Sequence, residues 1–198
     1  MTEPDRPAPR LRERKKARSR RALADAALRL FLERGYHAVT VAEIADAAEV
    51  SVPTLFSYFR SKEALLFDLE PEIAAGLVAA VSQRSPGRDV LDAVQEYLLS
   101  LPWAEPQQRE QFEAFLALVH GTPALRAYWQ QMWLRHADTL AVALAADRGL
   151  EAPDLRTRAV ARFVVDAAML VTLEPDPRAA LADLLGLLRS GLDAAGLP

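Results

Sequence analysis

Beyond Pro86 and Gly87 the chain is divided by Pro102, Pro106, Pro123, Pro153, Pro175 and Pro177 into blocks in which apolar residues return every three or four positions. A proline inside a helix removes a hydrogen bond and clashes with the preceding turn, so prolines at block edges mark helix ends. The blocks predict helices over roughly 88–101, 106–120, 123–148, 154–173 and 177–193, with one more over 72–83 before them. No stretch alternates apolar and polar residues as a half-buried strand does. The expected fold is all-α. A length of 198 residues, 51% of them hydrophobic, is enough for one large domain or two small ones with a substantial core.

The N-terminal third carries a different pattern, built from caps. Leu23, Ala27, Leu30 and Phe31 share one face of a helix beginning near Arg14 and ending at Gly35, which suits a left-handed C-terminal cap. Thr40 followed by Glu43 predicts a capping box, with Val41, Ile44, Ala45 and Ala48 on the buried side of a short second helix. Ser51 is placed to cap a third short helix, VPTLFSYF, with Pro53 in its first turn and Phe56 and Phe59 as core aromatics. Ser61 then caps a fourth, KEALLFDLE, which Pro71 should kink. Residues 1–13, rich in proline and charge, read as a flexible basic arm.

Charge is unevenly divided. Residues 1–40 carry a net +6 and the rest −9, which gives the overall −3. A basic head on an acidic body fits a chain of which one end approaches a polyanion. Two short helices joined by a tight turn, the second led by small side chains, meet the requirement for seating a helix end in a DNA major groove. At this point TVAEIADAAEVSVPTLFSYFRSKEALL closely resembles the DNA-binding segment of the TetR family of bacterial regulators, over about residues 14–68.

The resemblance implies a three-helix helix-turn-helix domain over 14–62 and a helical effector-binding and dimerisation domain over 63–198. It implies that Thr40, Tyr58 and Lys62 hold backbone phosphates and that Ser51, Val52, Pro53 and Thr54 lead the recognition helix. Val52 and Pro53 suit apolar features such as thymine methyls, which leaves Thr54 and Ser57 as polar readers. Many family members have glycine where Glu49 stands and a basic residue near Val52. Arg14 and Arg18, with Lys15 and Lys16, are therefore expected to supply phosphate contacts that the recognition helix lacks.

The body shows no catalytic spacing. His37, His120 and His136 are scattered, and there is no phosphate loop or nucleophile elbow, so no enzyme, cofactor or metal is expected. Aromatics concentrate there instead. Trp103, Phe112, Phe115, Tyr128, Trp129 and Trp133 can be core or the wall of an effector pocket, with His120, His136, Arg162 and Asp166 as polar candidates. Arg162 and Asp166, four residues apart, also fit an ion pair at an interface between helices or between copies.

The stretch HGTPALRAYWQQMW resembles the C-terminal domain of the mycofactocin-regulator-like TetR subset, associated with acyl-coenzyme A ligands. By that resemblance the last two helices pair with their copies in a homodimer. The expected function is a dimeric repressor released from a palindromic double-stranded DNA operator by a small hydrophobic effector. The alternatives are a small-molecule carrier with an incidental basic head and an activator without effector. Absence of a leader and of any apolar run near about 18 residues predicts a cytoplasmic protein without membrane contact.

Overall fold

The computed structural model describes residues 11–194, and among them every regular element is a helix. The head consists of α1 (Leu11–Arg34), α2 (Val41–Ala47) and α3 (Val52–Tyr58). Helix α1 starts at Leu11, three residues before the expected boundary, so only the last part of the predicted arm is described; its residues 1–10 lie outside the described segment. Gly35 ends α1 at φ +82°, and the Gly35 N–H donates to the Phe31 carbonyl at 2.9 Å, as a left-handed cap does.

Helix α2 opens with the full capping box. The Thr40 hydroxyl accepts from the Glu43 N–H at 3.2 Å, and the Glu43 carboxylate accepts from the Thr40 N–H at 2.7 Å. The Ser51 hydroxyl caps α3 by accepting from the Thr54 N–H at 3.3 Å. Between them the chain reverses at Glu49, whose φ of +54° makes it the only non-glycine residue in the left-handed region among those described. Leu23, Phe31, Ile44, Leu55 and Phe59 close the head's core.

Three expectations fail. Residues 62–69 do not form a helix. Ser61 caps only a single 3-10 turn at Glu63–Leu65, after which Leu65, Leu66 and Phe67 are all buried. Three consecutive buried side chains cannot share one face of a helix, so the chain turns to bury each. Pro71 kinks nothing; it lies in the first turn of α4 (Glu70–Ser82), where its missing N–H has no partner to lose. Phe56 is also not core. It is 49% exposed, because Leu55 and Phe59 take the buried side of α3.

The body continues with α5 (Val90–Leu98), α6 (Arg109–Gly121), α7 (Pro123–Asp147), α8 (Leu155–Leu170) and α9 (Pro177–Ala194). Helix α7 is its axis, with α4, α6 and α8 packed along it, while α9 rests on α8 and α5. Helices α4 and α5 approach closely at Gly76, where a Cβ would stand 2.1 Å from the Tyr97 ring. The Tyr97 hydroxyl donates to the Ile73 carbonyl at 3.2 Å and fixes that approach. No described helix is long and apolar enough to cross a membrane.

Candidate nucleic-acid interface and effector cavity

The leading end of α3 forms a compact polar and apolar surface. Ser51, Pro53 and Ser57 are exposed, Val52 and Thr54 are half-buried, and Phe56 joins them. No charged side chain occurs from Ser51 to Phe59. The hydroxyls are held locally: Ser51 and Thr54 share a hydrogen bond of 2.8 Å, and Ser57 donates to the Thr54 carbonyl at 2.6 Å. Each hydroxyl keeps either a lone pair or its proton for an outside partner.

Thr40 is exposed at the start of α2, its hydroxyl donating to Glu43 at 2.8 Å. Hydrogen bonds from the Thr40 backbone and side chain, then from Arg34, hold the exposed Glu43 carboxyl down to about 2. Arg14 and Arg18 are exposed on the first turns of α1. Lys62 is turned inward. Its ammonium donates to the Tyr36 carbonyl and lies 4.1 Å from the centre of the Tyr36 ring, and burial lowers its pKa. Tyr58 is half-buried, beside the junction between head and body.

The predicted pocket residues separate into four groups. Trp103, Phe112, Phe115 and Trp133 line a cavity of about 230 Å³, walled also by Leu28 of α1 and by residues 66–70. Tyr128 borders a different space, a cleft of about 490 Å³ between head and body. Trp129 is buried behind the cavity wall, 5.7 Å from Phe115 and 5.5 Å from Trp133, ring centre to ring centre. His136 is also buried, edge-on to Trp133, and burial pushes its pKa down to about 4. The remaining three stand away from both spaces. His120 is exposed at the end of α6, and Arg162 and Asp166 pair at 2.9 Å on the outer face of α8.

Residues 66–70 are the common wall of both spaces. Phe67 and Glu70 border cavity and cleft alike. Phe67 stacks flat on Tyr128 with ring centres 4.9 Å apart and meets Phe115 edge-on at 5.9 Å. The Tyr128 hydroxyl donates to Glu70 at 2.8 Å, and Arg135 donates to the same carboxylate at 2.7 and 2.9 Å. From α1, Arg20 donates to the carbonyls of Tyr58 at 3.2 Å and Asp68 at 2.8 Å. Sequence reasoning passed over Arg20, Phe67 and Glu70, because their partners lie between 38 and 65 residues away along the chain.

A capped tri-helical head with a small-residue helix end, joined to a larger helical body, defines a helix-turn-helix DNA-binding protein. A profile of bacterial regulatory proteins of the TetR family matches residues 23–69, and one of the MftR C-terminal domain matches 88–196. The chain is 33% identical over 152 residues to the HTH-type transcriptional regulator TcmR of Streptomyces glaucescens, covering 74% of this chain and 67% of that protein. It is 28% identical over 150 residues to MftR of Mycobacterium tuberculosis, named for regulation of mycofactocin biosynthesis, covering 74% of each. The solved structure of Thermus thermophilus FadR, a TetR-family repressor in complex with lauroyl-CoA, matches at 27% identity and TM-score 0.55, covering 87% of this chain and 94% of that one. The chain belongs to the TetR family and is a transcriptional regulator with an N-terminal DNA-binding domain.

Proposed function

We propose that the protein is a homodimeric repressor which a small hydrophobic effector releases from a palindromic operator. The observation that carries this reading is the shared wall: Phe67 and Glu70 face the cavity on one side and the head–body cleft on the other. A ligand that moves Phe67 disturbs its stack on Tyr128 and the Glu70 bonds at the start of α4, and so the position of the head. Such a ligand acts only by favouring the released arrangement, for which about 1–3 kcal/mol of coupling is an ordinary scale. FadR with its bound lauroyl-CoA supports a hydrophobic ligand in a body of this kind.

The outer faces of α8 and α9 and the segment between them support dimerisation. Leu155, Phe163, Leu170, Leu173 and Leu187 are exposed there, and large apolar side chains gathered on one side of a chain suit a contact between copies. Two copies would set their α3 ends about 34–36 Å apart, one turn of DNA. In this reading Ser51, Val52, Pro53, Thr54, Phe56 and Ser57 face the groove and Thr40, Tyr58, Arg14 and Arg18 approach phosphates, while Lys62, its ammonium held by the Tyr36 carbonyl, braces the head instead.

Gel shift on the DNA upstream of its own gene, at about 0.1 M salt, with the mass of the complex from light scattering, tests the scheme. Binding as a dimer and release by small-molecule extract are expected. Phe67→Ala should bind DNA and resist release. One chain per DNA site would defeat the dimer, and unimpaired release of Phe67→Ala would defeat the shared wall.

A further inference from the structure

Resting on the effector reading above, we infer that the cavity selects an uncharged, largely aromatic ligand carrying an acceptor oxygen, such as a ketone, quinone or ether, and that Trp103 and Trp133 supply the donors. Both indoles line the cavity and each is only 3% exposed. Neither Nε1–H has an acceptor among the described residues, and water reaches neither nitrogen. Buried donors are nearly always paired, so two unmet ones on the wall of one cavity indicate an acceptor that arrives with the ligand. Both nitrogens are closed off from the cavity as it stands, so the acceptor reaches them only when the wall shifts, and Met132, flexible and on the same wall, is the side chain able to yield.

The charges on the wall decide against an anion. Of the charged residues only Asp68 and Glu70 border it, Glu70 with its carboxylate already held by Tyr128 and Arg135, and no lysine, arginine or histidine does. The nearby cations, Arg20 and Arg135, border the cleft on the far side of residues 66–70. A carboxylate or phosphate in the cavity would lose water without gaining a counter-ion, which is strongly unfavourable. The volume of about 230 Å³ is below the usual 300–1,000 Å³ for drug-sized ligands, so the ligand is small. This departs from the acyl-coenzyme A ligands implied by the resemblance of the body.

Three probes of nearly equal shape test the inference on the full-length protein: 2-acetylnaphthalene, 2-ethylnaphthalene and 2-naphthoate. Calorimetry should give the ketone an affinity about tenfold above the hydrocarbon, the scale of one or two hydrogen bonds, with the carboxylate weakest. In ¹H–¹⁵N spectra the indole N–H of Trp103 or Trp133 should move downfield with the ketone and not with the hydrocarbon, with Trp129 as the internal control. In the Trp103→Phe, Trp133→Phe double variant the ketone-to-hydrocarbon ratio should fall to near one, a quantity that remains readable even if the altered cavity weakens both probes.

Equal binding of ketone and hydrocarbon by the wild type, a ratio unchanged in the double variant, or tightest binding of naphthoate would each overturn the ligand class while leaving the effector cavity in place. Failure of all three probes to bind would remove the effector cavity and this inference with it.

Discussion

Head and body treat their polar groups in opposite ways. In the head, Thr40, Glu43, Ser51 and Thr54 satisfy one another and the free N–H groups of their own helices within three residues of chain, at the surface. In the body, Trp103, Trp133 and His136 each bury a nitrogen without a partner. A head that satisfies itself keeps one shape whatever it binds. A body with unmet donors has a conformation that something else can improve.

The largest test of this contrast is acid. Burial holds His136 neutral with a pKa of about 4, while neighbouring Glu70 raises and Arg135 lowers it. An unfolded histidine titrates near 6.5, so the stability belonging to the neutral folded form is complete above about pH 6.5 and is lost as pH falls toward 4, by roughly 3 kcal/mol. Urea titrations at pH 7.5 and 4.5, followed by the fluorescence of tryptophans that all lie in the body, should show that loss, and His136→Phe should flatten it. An unchanged pH profile in the variant would place the acid sensitivity elsewhere.

A second test concerns packing. Gly76→Ala would drive a methyl into the Tyr97 ring, and about 2 kcal/mol of destabilisation is expected from such overpacking. Adding Tyr97→Leu should recover part of it; no recovery would mean that the close approach is not the cause. In the head, Glu49→Gly should stabilise by about 1 kcal/mol, because glycine adopts the positive φ without strain. Denaturant midpoints would read this directly, and a drop would show that Glu49 makes a compensating contact. The smallest effect is expected at the exposed Arg162–Asp166 pair, where Arg162→Ala should change the stability of the isolated chain by less than about 0.5 kcal/mol. A larger change that depends on protein concentration would place the pair in the contact between copies.

Much of the fold was legible because helix ends are local. Thr40 with Glu43, Ser51 with Pro53, Gly35, and the prolines of the body each act within one turn, and the helices end within a turn of where they indicate. Residues 62–69 were not legible, since Leu65, Leu66 and Phe67 are all buried and periodicity cannot name neighbours as distant along the chain as the Phe115 and Tyr128 that cover Phe67. Phe56 was misjudged for a related reason: an aromatic in an apolar helix reads as core until the rest of the bundle shows which side is covered. Among the candidate pocket residues, four line the cavity, while His120, Arg162 and Asp166 stand on surfaces that spacing could not distinguish from an interior.

The two backbone grips of Arg20 have a consequence for building hybrid sensors. One hand of the guanidinium holds Tyr58, within the head, and the other holds Asp68, at the threshold of the body. A chimera spliced at residue 62 would give one of those grips to a foreign chain, whereas a splice between Leu69 and Glu70 would carry both across intact. The exchangeable cassette is therefore longer than the DNA-reading fold itself, and it takes with it all but Glu70 of the strip of wall through which the body is heard.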